Sequence, residues 1–75
     1  MEDGSLGSPR DLNAWVRVYE FLKERIINGT YGPGEKLNER GIADLVPTSR
    51  TPVREALRVL QHEGLVTTIA KGVSP

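Results

Sequence analysis

Seventy-five residues leave room for one domain with one modest core. The absence of cysteine excludes disulfide staples and thiolate metal sites. No apolar run approaches the roughly 20 residues that cross a bilayer, and the N-terminus lacks the basic start and apolar stretch of a signal peptide, so a soluble, cytoplasmic protein is expected. Ten Lys and Arg balance ten Asp and Glu, which by itself counts against nucleic-acid binding, because phosphate neutralisation supplies much of that affinity. The sum hides a segregation. Seven of the ten bases are arginines, and Arg50, Arg54 and Arg58 recur at every fourth position, whereas acids gather in the opening tail and first helical segment. A one-sided stripe permits a local positive face on a neutral chain.

Residues 1–10, MEDGSLGSPR, are rich in Gly, Ser and charge, and are expected to be a disordered or appended tail outside the fold, leaving 11–75 as the domain. From Asp11, a cap candidate, Leu12, Val16, Tyr19, Leu22 and Ile26 lie three or four apart and predict one helix face, with Asn28-Gly29 as the stop. Tyr31-Gly-Pro-Gly34 is a connector no helix crosses, and Lys36–Leu37 reads as a short extended piece. Asn38 is an N-cap candidate for a second helix, Glu39 to Leu45, with Ile42, Ala43, Leu45 and Val46 facing inward. Gly41 costs that helix about 1 kcal/mol relative to alanine, and Pro47 breaks it. Thr48 and Ser49 offer caps for a third helix to about Glu63, in which first-turn Pro52 is tolerated. Val53, Ala56, Leu57 and Leu60 form its buried face, and Gly64 ends it. Leu65–Ile69 is β-branched and predicts a strand, turned back at Ala70-Lys-Gly72. Only Val73–Pro75 follow as a partner strand, so residues from about Ala70 onward are expected to be mobile without DNA, with Lys36–Leu37 pairing beside Leu65–Val66.

The order predicts a mainly α fold with a small β wing: a winged helix-turn-helix of three helices plus a short antiparallel sheet. The second helix of such a pair fits the major groove of B-DNA. Here it turns Arg50, Arg54 and Arg58 outward, and the arginine fork suits guanine O6 and N7 as well as phosphate. Ser49 and Thr51 add hydroxyls at its start, where free amides attract phosphate. Spacing alone equally describes a solvated helix face with Glu55 and Glu63 as partners. Lys71 reads either as a wing tip at the minor groove or as a lysine on an exposed turn. Arg40 reads as a surface ion-pair member, His62 as a partner of the helix end, and Trp15 and Tyr19 as core residues. No paired carboxylates, Ser/His/Asp set or metal-ligand spacing occurs, so neither catalysis nor a cofactor is expected. A winged helix used only for protein interaction is the alternative, but it would present an apolar surface where the arginines stand. An RNA-binding version would need exposed aromatics.

The run SRTPVREAL at Ser49–Leu57, continued by HEGLV at His62–Val66, resembles the signature of the GntR family of bacterial transcriptional regulators. VYEFLKERIINGTYGPGEKLNER, from Val18 to Arg40, is similar to that family's first helix, Pro-Gly turn and second-helix entrance. The wording is closest to the fatty-acid-responsive, FadR-like (FCD) subgroup. The resemblance implies a repressor's sequence-specific DNA-binding domain, with DNA contacts at Arg40, Ser49, Arg50, Thr51, Pro52 and Arg54 and, at the wing tip, Lys71 and Gly72. It further implies double-stranded palindromic operator DNA as the partner, a homodimeric full-length protein, and a small-molecule effector bound by a C-terminal helical domain outside this chain. Three positions depart from the family pattern. Gly41 stands where Glu is frequent, Pro47 where the turn usually has Gly, and the Ala-Lys-Gly wing tip looks one residue short.

Overall fold

A computed structural model describes residues 9–46 and 48–75 of the chain, with side chains from Ala14 onward apart from Pro47. The chain forms α1 (Pro9–Ile27), α2 (Glu39–Leu45), α3 (Arg50–His62), β1 (Thr67–Ile69) and β2 (Gly72–Ser74). This is the predicted mainly helical fold with a two-stranded antiparallel wing. The expectations for residues 1–8, for the Leu12 side chain and for the turn at Pro47 lie outside the described residues.

The first helix begins at Pro9, two residues ahead of the cap expected at Asp11. Proline suits a first helical turn, where amides have no intrahelical partner. Its buried face is also rotated from the one predicted. Ala14, Val18 and Leu22 are buried, while Val16, Tyr19 and Ile26 are half-buried. Val18 and Leu22, one turn apart, belong to the core that α1 shares with α3, its principal packing partner, while Tyr19 and Ile26 pack at its edge. The helix ends as predicted: the Asn28 amide donates to the Glu24 carbonyl at 2.9 Å and Gly29 takes φ 85°.

The second helix starts at its predicted cap, where Asn38 Oδ1 accepts from the Gly41 amide at 2.8 Å. Ile42 is buried and Ala43 and Val46 are half-buried, but Leu45 is 58% exposed rather than inward. A seven-residue helix has only a narrow buried face, and Ile42 occupies it. In α3, Val53, Ala56, Leu57 and Leu60 are buried as the spacing required. They join Val18, Leu22, Leu37, Ile42, Val66 and Val73 in one core. Gly64 at φ 81° reverses the chain, and the Leu65 amide donates back to the Leu60 carbonyl at 2.9 Å. Leu65 therefore closes the helix end, Val66 plugs the core, and the strand starts two residues later than predicted.

The returning strand corrects the sequence reading most. In β2, Val73 pairs with Thr68 of β1 on one side. On the other side it exchanges both backbone hydrogen bonds with Leu37, at 2.8 and 2.9 Å. The Lys36–Leu37 segment thus pairs with the second wing strand, not beside Leu65–Val66. Residues 72–74 form the middle of three extended segments, and Val73 and Ser74 are buried. Shortness after Ala70 does not leave the strand without partners, because pairing on both edges and burial of Val73 anchor it.

Candidate nucleic-acid interface

The start of α2, the outer face of α3 and the wing enclose an open groove of about 750 Å³. Leu37, Leu57 and Val73 form its apolar floor. Its walls carry Arg40 from α2, Arg50, Arg54 and Arg58 from α3, and Lys71 from the wing tip, with Glu39 as the one acidic lining side chain among the described residues. Five cations line this concavity against the Glu39 carboxylate and that of Glu55 at the Arg58 edge, which leaves it net positive on a chain of zero net charge. The helical repeat explains the arrangement: burying Val53, Leu57 and Leu60 inward turns Arg50, Arg54 and Arg58 outward.

Of the residues singled out from the sequence, Arg40, Arg50, Arg54, Lys71 and Gly72 line the groove. Ser49, Thr51 and Pro52 stand beside it in the cap and first turn of α3. Ser49 takes the extended cap conformation without a side-chain cap bond. Its hydroxyl and that of Thr51 are both on exposed residues at the end of α3 that carries Arg50 and Arg54. Arg40 and Arg50 have no carboxylate partner among the described residues. Arg58 does, meeting Glu55 at 3.2 Å one turn back.

Arg54 makes an ion pair across the two helices that spacing did not announce. Its Nε and Nη2 donate to the two carboxylate oxygens of Glu39, at 3.0 and 3.3 Å. The Arg54 hydrogen bond, with its charge and that of Arg50 adding to it, holds the Glu39 carboxyl below the usual glutamate range. Glu63, considered as a partner for the arginine stripe, instead accepts from Tyr19 Oη at 2.7 Å, and Lys23 donates to the same hydroxyl at 3.1 Å. Tyr19 is therefore half-buried, packed against the core and edge-on to Trp15, with its hydroxyl latching α1 to the end of α3.

At the wing tip, Ala70 and Lys71 form the two-residue loop between Ile69 and Gly72. Lys71 takes φ 63°, the one positive φ at a non-glycine among the described residues. Its exposed side chain is thereby carried on a strained backbone. Gly72 has a structural reason to be glycine. A Cβ there would overlap the Leu37 carbonyl oxygen and lie 3.3 Å from its carbon.

Sequence reasoning missed Glu39 and Gln61, and left Arg58 out of the contact set although it continues the stripe. Gln61, one turn beyond Arg58, lines the groove and donates from Nε2 to Thr68 Oγ1 on the wing, tying α3 to β1. Periodicity could have found Arg58 and Gln61. Nothing local signals Glu39, whose partner lies fifteen residues along the chain. No group of three or more His, Cys, Asp or Glu side chains that could hold a metal ion occurs among the described residues.

The family model of the bacterial regulatory proteins, gntR family, matches residues 15–73, from the first helix through the wing. The chain belongs to the gntR family. It is 41% identical over 66 residues to an HTH-type transcriptional regulator of Bacillus subtilis, a match covering 88% of this chain and 29% of that protein. It is 43% identical over 51 residues to the gluconate operon transcriptional repressor of the same organism, covering 68% of this chain and 21% of the relative. Against the Exu regulon transcriptional regulator of Escherichia coli K12 it is 56% identical over 46 residues, 60% of this chain and 18% of the relative. The chain spans less than a third of the length of these curated relatives. Within the gntR family, this region is the sequence-specific DNA-binding domain of a transcriptional regulator. No helix of the described residues is long and apolar enough to cross a membrane.

Proposed function

We propose that the domain binds operator DNA with α3 in the major groove and the wing at the adjacent minor groove. The positive groove between α3 and the wing carries this reading, because it concentrates five cations where the fold leaves α3 exposed. Helix-turn-helix docking brings the N-terminal part of the second helix to the base edges, which assigns base reading to Arg50 and Arg54. Arg40, Arg58 and Lys71, spread around the rim, suit phosphate contact, as do Ser49, Thr51 and the Pro52 turn at the helix start. Gly72, which lines the groove beside Lys71, belongs to the same wing-tip contact. The exposed bulky apolar residues Ile27 and Leu45 do not line the groove, which disfavours a protein-interaction reading of this face.

The whole regulator is proposed to act in the bacterial cytoplasm as a homodimer on a palindromic site, each protomer reading one half. A small-molecule effector would bind outside this region, in a C-terminal domain of the FadR-like type. The named relatives include a repressor, and repression is the sense proposed here. Selection of bound sequences from a random DNA pool tests the reading. A palindromic consensus is expected, and Arg50→Ala or Arg54→Ala should each cost roughly 1–3 kcal/mol and relax preference at one base position. Equal weakening on every sequence would reassign both arginines to phosphate.

A further inference from the structure

We infer that Glu39 is a positioning residue for base reading: it grips Arg54, which lines the groove, along its Nε–Nη2 edge and leaves the adjoining end-on edge of the guanidinium free. A guanidinium has five N–H donors in a rigid plane. Glu39 takes the Nε–H and one Nη2–H, at 3.0 and 3.3 Å. The second Nη2–H and both Nη1–H remain. One hydrogen on each terminal nitrogen makes an end-on fork, the edge that matches guanine O6 and N7. A carboxylate seated on that end-on fork would have to leave before DNA was read. In its side-on place Glu39 can stay.

Two consequences follow from the pair lying across α2 and α3. Arg54 is 60% exposed and long, so ordering it at an interface costs affinity unless it is ordered beforehand. Glu39 does that ordering from an anchored point, because the neighbouring Asn38 cap holds the start of α2. Among the described residues Glu39 is also the one acidic side chain that lines the groove, where it opposes the phosphates of any DNA, matched or not. It therefore preserves binding to the right sequence and penalises binding to the rest, which is how discrimination is built from a difference of affinities.

The inference rests on Arg54 facing base edges, as proposed above. Its test compares the wild-type domain with Glu39→Gln, Arg54→Ala and the double variant. Each is titrated with the selected site, with that site altered at every base pair in turn, and with random-sequence DNA. Glu39→Gln is expected to reduce discrimination at a single base pair by roughly two- to fivefold, the range an exposed ion pair spans, and to strengthen binding to random DNA. In the Arg54→Ala background the same substitution should leave discrimination unchanged. Unaltered discrimination in Glu39→Gln overturns the inference, and so does an equal loss with Arg54 absent. If the wild type discriminates but Arg54→Ala does so equally well, the base-reading role of Arg54 fails first.

Discussion

Replacing Gly72 with alanine separates a structural wing from one that matters only through contact with DNA. The added methyl would overlap the backbone carbonyl of Leu37, which has no rotamer by which to move aside. The strand must therefore withdraw from Leu37, weakening the two hydrogen bonds of 2.8 and 2.9 Å between Leu37 and Val73. At roughly 0.5–1.5 kcal/mol each these contribute about 1–3 kcal/mol. Partial exposure of Leu37 and Val73, now 6% and 8% exposed, adds about 1 kcal/mol. The expected loss is roughly 2–4 kcal/mol, against a total of roughly 4–11 kcal/mol for a domain of this length. Urea unfolding would show it as a lower midpoint, and amide exchange would show lost protection at Leu37 and Val73. A loss under about 0.5 kcal/mol with both amides still protected would refute the packing argument.

Lys71→Gly should raise stability by about 1 kcal/mol in thermal unfolding, since it relieves φ 63° at a non-glycine, while weakening DNA binding through the lost charge. Lys71→Ala keeps the strain and should lower only affinity, reducing the salt dependence by about one phosphate contact in titrations at several ionic strengths. Asn38→Ala removes the acceptor for the Gly41 amide and should cost about 1 kcal/mol by chemical denaturation. The Glu39 carboxyl is held below its ordinary range when folded, so its stabilising contribution is full above that range and is lost as pH falls through the lowered value. The thermal midpoints of wild type and Glu39→Gln should therefore differ slightly at neutral pH and low salt, and converge in acid. A gap that widened in acid would contradict the pairing.

Much of the interface is local in origin and was legible in the chain. Spacing in α3 sets Val53, Ala56, Leu57 and Leu60 inward and turns the three arginines out, because both follow from one helical repeat. The Asn38 cap and the glycine stops at Gly29 and Gly64 are likewise decisions made within a few residues. Tertiary packing decided the rest. Which flank of α1 is buried depends on where α3 lies, so Ala14 and Val18 are buried with Leu22 while Val16, Tyr19 and Ile26 of the face periodicity favoured are half-buried. The Glu39 grip on Arg54 joins residues of different helices, which no local pattern encodes. Leu37 pairing with Val73 turned a strand that looked too short to hold into the centre of the wing, because backbone hydrogen bonds reward proximity in space and carry no mark in the sequence between them.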